Sequence, residues 1–402
     1  MKIAVVFGTR PEAIKLAPVI KQLREKFETI VINSGQHHNL VQQIIDFFHI
    51  EVDYDLRAYV SKDRTLPQLS SMLIENLDRV YSEISPDLVI VQGDTMTTFT
   101  GAFVGFLHKK PVAHVEAGLR SFSKFAPFPE ELMREMVGRL ADLHFPPTVV
   151  DKENLLNENI RPDRIFLVGN TVVDALKLGN SILDENQVFQ ELKEYGITPD
   201  ILKDRKIVLI TSHRRENIGE PLVRICQSIK HLAQEYPDFV FIWSMHPNPE
   251  VKEIVSNYMQ TKPDNIYITK PVSYPTMIYL LNHAFLVLTD SGGLQEESAS
   301  IGVPVLVLRT VTERSVVIDA GAGFLVDSDR NKIEYYFNKL VQDKEFYKEV
   351  SDRGEHLFGD GTASIRIQKL LENNEVQKFI KDYPLTEKMN LEHIKKEGIE
   401  IL

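Results

Sequence analysis

Short runs of β-branched and aliphatic residues alternate with amphipathic helical stretches along almost the whole chain, and few folds accept that alternation. The first half opens on the strand KIAVVFG. The helix TRPEAIKLAPVIKQLREKF follows, begun by Thr9 and Glu12 as a capping box with Pro11 in its first turn. TIVINSG is the next strand and NLVQQIIDFFHI the next helix. After them come the helix LPQLSSMLIENLDRVYSEI, the strand DLVIVQG, the helix TMTTFTGAFVGFLHKK, the strand PVAHVEAG and the helix EELMREMVGRLADL. LHFPPT and RIFLVGN read as closing strands. Strands separated by helices of this length pair in parallel and are covered on both faces. Between Val173 and Lys206 the sequence turns charged and helical and loses its strand signal. The alternation then resumes with KIVLITSH, DFVFIWSMHPN, NIYITKP, FLVLTDSGG and PVLVLRT. The fold expected is α/β, with two Rossmann-like doubly wound domains over residues 1–172 and 173–361. Ligands of such sheets bind outside the carboxyl ends of the strands, which puts the expected active site in the interdomain cleft.

Bulk properties narrow the function. A formal net charge of −11 argues against nonspecific binding to nucleic acid or to an anionic membrane. A single cysteine, Cys226, allows no internal disulfide and suits a reducing compartment. The apolar run at the N-terminus is too short for a secretory signal and no stretch approaches a membrane span, so the expected location is the cytoplasm.

The strand ends are where chemistry would sit. After the first strand come Gly8, Thr9, Arg10 and, a turn later, Lys15. Other strands end in Gln36-His37-His38, Gly93-Asp94-Thr95, His114-x-Glu116, Ser212-His213-Arg214-Arg215, His246-Pro247-Asn248, Asp290-Ser291-Gly292-Gly293 and Arg309. In TDSGGLQEES, the glycines let an anion approach the free N–H groups of a first helical turn, where the dipole favours negative charge. Glu297 lies one turn on, placed to accept both hydroxyls of a ribose, and Glu296 points about 100° away. The same residues also fit a plain strand-to-helix turn. His213, Arg214 and Arg215 read as a phosphate site, since guanidinium groups pair bidentately with phosphate, or as a solvated basic turn.

Three acids stand out: Asp94, Glu116 and Glu130. Carboxylates desolvated in a cleft can shuttle protons. Each also has a bland explanation. Asp94 could cap a helix, Glu116 could pair with Arg120 or Arg134, and Glu130 could simply favour a helix N-terminus. The chain has no GxxxxGK[ST] loop, no GxGxxG, no CxxC or HExxH and no GxSxG elbow, so neither a metal nor a cofactor is expected.

The ordered succession FGTRPEAIKLAPVI, GQHH, VQGDTMTT, HVEAGLRS, PFPEELMRE, DLHFPPT, GNTVVDAL, TSHRREN, HPNP, TDSGGLQEES, GVPVLVLR and TER, spanning roughly residues 1–370, resembles the non-hydrolysing UDP-N-acetylglucosamine 2-epimerases. The resemblance implies a GT-B-like fold, with a C-terminal helix at about 362–382 packing back on the N-terminal domain and residues 383–402 as a tail. It implies interconversion of UDP-GlcNAc and UDP-ManNAc, without NAD, in a homodimer that supplies surface polysaccharide. Position by position, it places catalytic roles on Asp94, Glu116, Glu130 and His213. Substrate binding falls on Arg10, Lys15, Ser291, Gly292 and Glu297, with Arg134, Arg214, His246, Gly293 and Arg314 completing that set. Gln36 and Asn39 are candidates for an activator site, although Asn39 stands where relatives often carry glutamine. In TVTERSV, Glu313 and Arg314 match the family but the Pro-Glu that follows does not, so a related UDP-2-acetamido sugar is an alternative substrate.

The chemistry implied is elimination and re-addition. The C2 proton is not beside a carbonyl, so simple deprotonation is slow. Expulsion of UDP from C1 with loss of the C2 proton gives 2-acetamidoglucal, and UDP adds back with protonation on the other face. That route needs a base, an acid and a cationic cradle for the leaving diphosphate. The competing readings are a hydrolysing 2-epimerase, a GT-B glycosyltransferase and a non-catalytic UDP-sugar sensor.

Overall fold

A computed structural model describes residues 1–57, 65–212, 214–384, 389 and 394, the side chains of His38, Asn39 and Arg215 excepted. The chain divides into two compact units, one of residues 1–178 with 358–402 and one of residues 179–357. Each is built on a six-stranded parallel sheet, so the fold is α/β with two Rossmann-like units.

In the first unit the strands are β1 (Lys2–Phe7), β2 (Glu28–Asn33), β3 (Tyr54–Asp55), β4 (Leu88–Gln92), β5 (Val112–Val115) and β6 (Leu143–Phe145), in the spatial order β3-β2-β1-β4-β5-β6. The second unit contributes β7 (Lys206–Thr211), β8 (Phe239–Ser244), β9 (Ile266–Thr269), β10 (Ala284–Thr289), β11 (Val305–Val307) and β12 (Gly323–Leu325), ordered β12-β11-β10-β7-β8-β9. Read from the other edge, the second order repeats the first. In both sheets the chain reverses direction of travel beside its first strand, between β1 and β4 and between β7 and β10. Loops at such a switch point diverge and leave room for a ligand.

Burial on both faces explains the continuous apolar runs. Every residue of β4 and β8 is buried, and a core of Phe239, Phe241, Trp243 and Phe337 fills the second unit. Helices begin where the sequence signals them. Thr65 caps the helix Leu66–Ile84, and Thr95 caps the helix Met96–Leu107. The helix Ala363–Glu372 packs against the helix Arg10–Arg24 within the first unit. Among the described residues no helix is long and apolar enough to cross a membrane.

The expected closing strand RIFLVGN does not form. After one bridge between His144 and Ile165, residues 166–170 run without strand structure, with the N–H groups of Phe166 and Val168 donating to His144 and Pro146. Gly169, at φ 93°, turns the chain out of an extended path, and the N–H of Asn170 donates to Phe358 instead of to the sheet.

Candidate active site

The β1–β4 switch point is packed to its limit. An added Cβ at Gly8 would stand 1.8 Å from Ser34 Oγ and 2.6 Å from Thr97 Oγ1. Gly8→Ala is therefore expected to cost about 1–3 kcal/mol by overpacking, read as a fall in urea midpoint; an unchanged midpoint would mean that the contact is not tight. Glu12, almost fully buried, closes the same corner. Its carboxylate accepts from the N–H groups of Gly8 (3.0 Å) and Thr9 (2.7 Å) and the hydroxyls of Thr95 (2.6 Å) and Thr98 (2.8 Å). Burial raises its pKa, and the hydrogen bonds from Thr95, Thr9 and Thr98 oppose that rise. Glu12 so ties the loop that starts the first helix to the loop that follows β4. Gln36 joins them, its amide oxygen accepting from Thr97 N–H (3.2 Å) and hydroxyl (2.8 Å). The side chain of Asn39 lies outside the described residues.

The three acids have different surroundings. Thr95, not Asp94, caps the helix after β4, which leaves the Asp94 carboxylate to pair with Arg134. Glu116 follows β5 directly and holds a left-handed backbone, φ 64°. That conformation costs a non-glycine residue about 1–3 kcal/mol, so the sheet and loop must impose it. Its carboxylate pairs with the buried Lys15 ammonium and accepts from the Gln92 side-chain amide. Arg120 and Arg134, the partners expected for it from sequence, are engaged elsewhere; Arg120 forks onto Glu158 at 2.6 and 2.8 Å.

Glu130 and Glu131, adjacent at the start of the helix Glu130–Leu140, part company. Glu130 is half-buried in the first turn. Glu131 is wholly buried and accepts from Ser121 N–H, from Phe122 N–H at 2.8 Å and from Arg134 Nη1 at 3.0 Å. Arg134 thus holds Glu131 with one nitrogen and Asp94 with two others. The capping box read from Thr9 and Glu12 forms, but sequence reasoning missed the bonds of Glu12 to Thr95 and Thr98, and it missed the roles of Glu131 and Gln92. The i,i+3 spacing of Glu131 and Arg134 was the available sign for Glu131. A polar residue ending the all-buried strand LVIVQ was the sign for Gln92.

The β7–β10 switch point is basic at its surface and acidic beneath. Asp290, fully buried, accepts from Ser212 Oγ (3.0 Å), Arg214 N–H (2.9 Å) and Asn217 Nδ2 (2.8 Å), which fixes the loop after β7. His213, in that loop, lies outside the described residues. Ser291 is the N-cap of the helix Gly292–Ser300, whose two glycines serve different ends. A Cβ at Gly292 would stand 2.8 Å from the Arg314 guanidinium carbon, whereas a Cβ at Gly293 would meet no atom within 4 Å among the described residues. The first glycine makes room for a cation beside the helix N-terminus, and the second leaves the approach open. Arg314 Nε donates to Glu296 (2.9 Å), and Glu297 on the adjacent face accepts from the Tyr274 hydroxyl at 3.3 Å. The carboxylate of Glu313 gathers Arg314 (2.9 Å), Arg309 (2.6 Å) and Arg214 (3.4 Å). Burial alone would raise its pKa; Arg314 and Arg309 more than offset that and hold it at about 2. His246, exposed after β8, accepts from Asn248 N–H at 3.3 Å. Arg10 is half-buried at the start of the first helix.

The structure thus joins Lys15 to Glu116 and Arg134 to Asp94 in the first unit, with Glu130 at the start of the helix that carries Arg134; in the second it brings Arg214 and Arg314 together on Glu313, and places Ser291, Gly292, Gly293 and Glu297 along one helix. Among the described residues no group of three or more His, Cys, Asp or Glu side chains could hold a metal ion.

Comparison with known proteins gives a concordant answer. A family model described as UDP-N-acetylglucosamine 2-epimerase matches residues 21–372. The UDP-N-acetylglucosamine 2-epimerase of Yersinia pestis is 40% identical over 379 residues, 94% of this chain and all of that protein. The one from Escherichia coli strain K12 is 39% identical with the same coverage. Among solved structures, UDP-GlcNAc 2-epimerase from Neisseria meningitidis bound to UDP-GlcNAc is similar with a TM-score of 0.83 at 38% identity, covering 93% of this chain and 100% of that one. The S. aureus MnaA–UDP complex gives 0.81 at 37% identity, covering 95% and 98%.

Proposed function

The chain belongs to the UDP-N-acetylglucosamine 2-epimerase family, and we propose that it interconverts UDP-GlcNAc and UDP-ManNAc without net hydrolysis. The observation that carries this reading is Glu116, a carboxylate held in a strained backbone between a buried lysine and a buried amide at a switch point. Asp94, locked by Arg134, stands at the same strand ends. Proton transfer at C2 needs acids fixed in this way, because positioning supplies much of the rate.

In the forward direction a carboxylate takes the C2 proton while the C1–O bond breaks, the bonding pair leaving with UDP as the C1=C2 double bond forms. Re-addition reverses both events with the proton delivered to the opposite face of C2. Asp94, Glu116 and Glu130 supply the base and the acid. The free N–H groups at Gly292 and Gly293, with Arg214 and Arg314, receive the diphosphate and stabilise its negative charge as it departs. Lys15 and Arg10 add positive charge to the first unit's site. By likeness to the family the enzyme is a cytoplasmic homodimer that provides ManNAc-type precursors of surface polysaccharide.

Incubation with UDP-GlcNAc in deuterated water, followed by NMR at C2, tests the reading. UDP-ManNAc carrying deuterium at C2, with deuterium also entering UDP-GlcNAc, is expected. Free ManNAc and UDP would replace this reading by hydrolysis. Absence of product and exchange, with UDP still bound, would exclude epimerisation of this sugar.

A further inference from the structure

We propose that His114 is a positioning residue of this site: its Nε2–H, donated to the carbonyl of Gly93, fixes the turn that presents Asp94 and ties it to the strand that delivers Glu116. The inference rests on the epimerase reading for its rate consequence, though not for its geometry.

His114 lies in the middle of β5, opposite Val91 of β4 and two residues before Glu116. It is 1% exposed, and its Nε2 stands 2.7 Å from the Gly93 oxygen. A carbonyl can only accept, so the proton is on Nε2 and Nδ1 is bare. Nδ1 finds no hydrogen-bond partner among the described residues. Burial pushes the imidazole pKa down to about 4, which keeps the ring neutral and the donor pattern fixed at ordinary pH. A bare buried acceptor is costly, and an aliphatic side chain would fill this place in β5 without that cost. The one thing the imidazole contributes that an aliphatic side chain lacks is its bond to Gly93.

That bond matters because of what Gly93 does. Its φ of 77° turns the chain sharply out of β4, and its own N–H donates to Val115 of β5 at 3.1 Å. Both polar backbone groups of the turn are therefore held by β5. A Cβ placed on Gly93 would lie 3.6 Å from the Glu116 carboxylate, so the turn backs directly onto the second acid. Asp94 comes next in the chain, then Thr95, the helix cap. Removal of the His114 donor frees the carbonyl at the pivot of this turn and lets Asp94 drift relative to Glu116. His144, beside it in β6 and equally buried, has no bond to Gly93 among the described contacts.

The test compares His114→Leu, which removes the donor, with His114→Gln, whose side-chain amide can present an N–H close to where Nε2 stands. In His114→Leu, kcat is expected to fall about 30–100-fold with KM within about threefold of the parent, as a small misplacement of a catalytic group predicts. Hydrogen–deuterium exchange across residues 93–95 should accelerate, and UDP affinity should not change. His114→Gln should recover most of kcat and of the protection. Equal impairment of the two variants, or parental kcat in both, would overturn the proposal. Should His114→Leu fail to fold, His114→Asn, too short to reach Gly93, replaces it, and parity of the Asn and Gln variants overturns the proposal equally. If the parent enzyme itself does not epimerise, the epimerase reading fails, and the exchange comparison still decides whether His114 holds the turn.

Discussion

Replacement of Arg134 by methionine is expected to lower turnover about 1,000-fold and to destabilise the first unit by about 3 kcal/mol, the lower end of the cost of breaking a buried ion pair. The side chain is 4% exposed and joins two acids, Glu131 below and Asp94 above. Methionine keeps much of the stem's packing, so the loss isolates the charge. Glu131 retains its N–H donors from Ser121 and Phe122, and Asp94 is a quarter exposed, which is why the cost sits at the low end of that range. Activity should suffer more than stability, since Asp94 loses two guanidinium bonds that set its orientation. Urea denaturation followed by far-UV circular dichroism gives the stability term and single-turnover rates give the other. Turnover within tenfold of the parent would show that Asp94 needs no such support, and with it the proposed role of Arg134 would fall.

The arrangement that makes Arg134 so exposed to substitution was only half legible in the sequence. Long periodic segments were plain: LPQLSSMLIENLDRVYSEI is the helix Leu66–Ile84, residue for residue. Strands of two or three residues, such as β3 and β12, carry too few alternations to announce themselves, and the helix Pro249–Tyr258 hid in a polar stretch after β8. Strand ends pointed to the site residues because a doubly wound sheet fixes where polar groups can gather. Pairing did not follow. Lys15 and Glu116 are 101 residues apart and Asp94 and Arg134 are 40 apart, so their meeting is a property of the sheet order and of no local pattern. The Glu130–Glu131 doublet is the sharpest case. One helical step separates a buried structural carboxylate from a half-buried one, and only the packing of residues 121–122 against the helix decides which is which. Gly292 and Gly293 divide in the same way, according to where Arg314 lies.

Glu313 gives the largest pH-dependent effect. Its carboxyl is held at about 2 in the folded protein by Arg314 and Arg309, against the upward pull of burial, whereas its ordinary value is 4.5. Above pH 4.5 both folded and unfolded chains carry the ionised group, and the arginines contribute their full stabilisation. As pH falls below 4.5 the unfolded chain takes up the proton first, so stability is lost, and the contribution is gone only below pH 2, once the folded group is protonated as well. Glutamine mimics the protonated group at every pH. Glu313→Gln is therefore expected to destabilise the second unit by about 3 kcal/mol at pH 7 and by only about 1.5 kcal/mol at pH 3. The measurement is unusually clean, because the chain's single tryptophan, Trp243, is buried in the core of the same unit and reports its unfolding by fluorescence. Urea titrations of parent and variant at both pH values give the two gaps. A gap that stays constant between pH 7 and pH 3 would mean that Glu313 acts by packing alone. A gap that closes would place the three arginines around an ionised carboxylate.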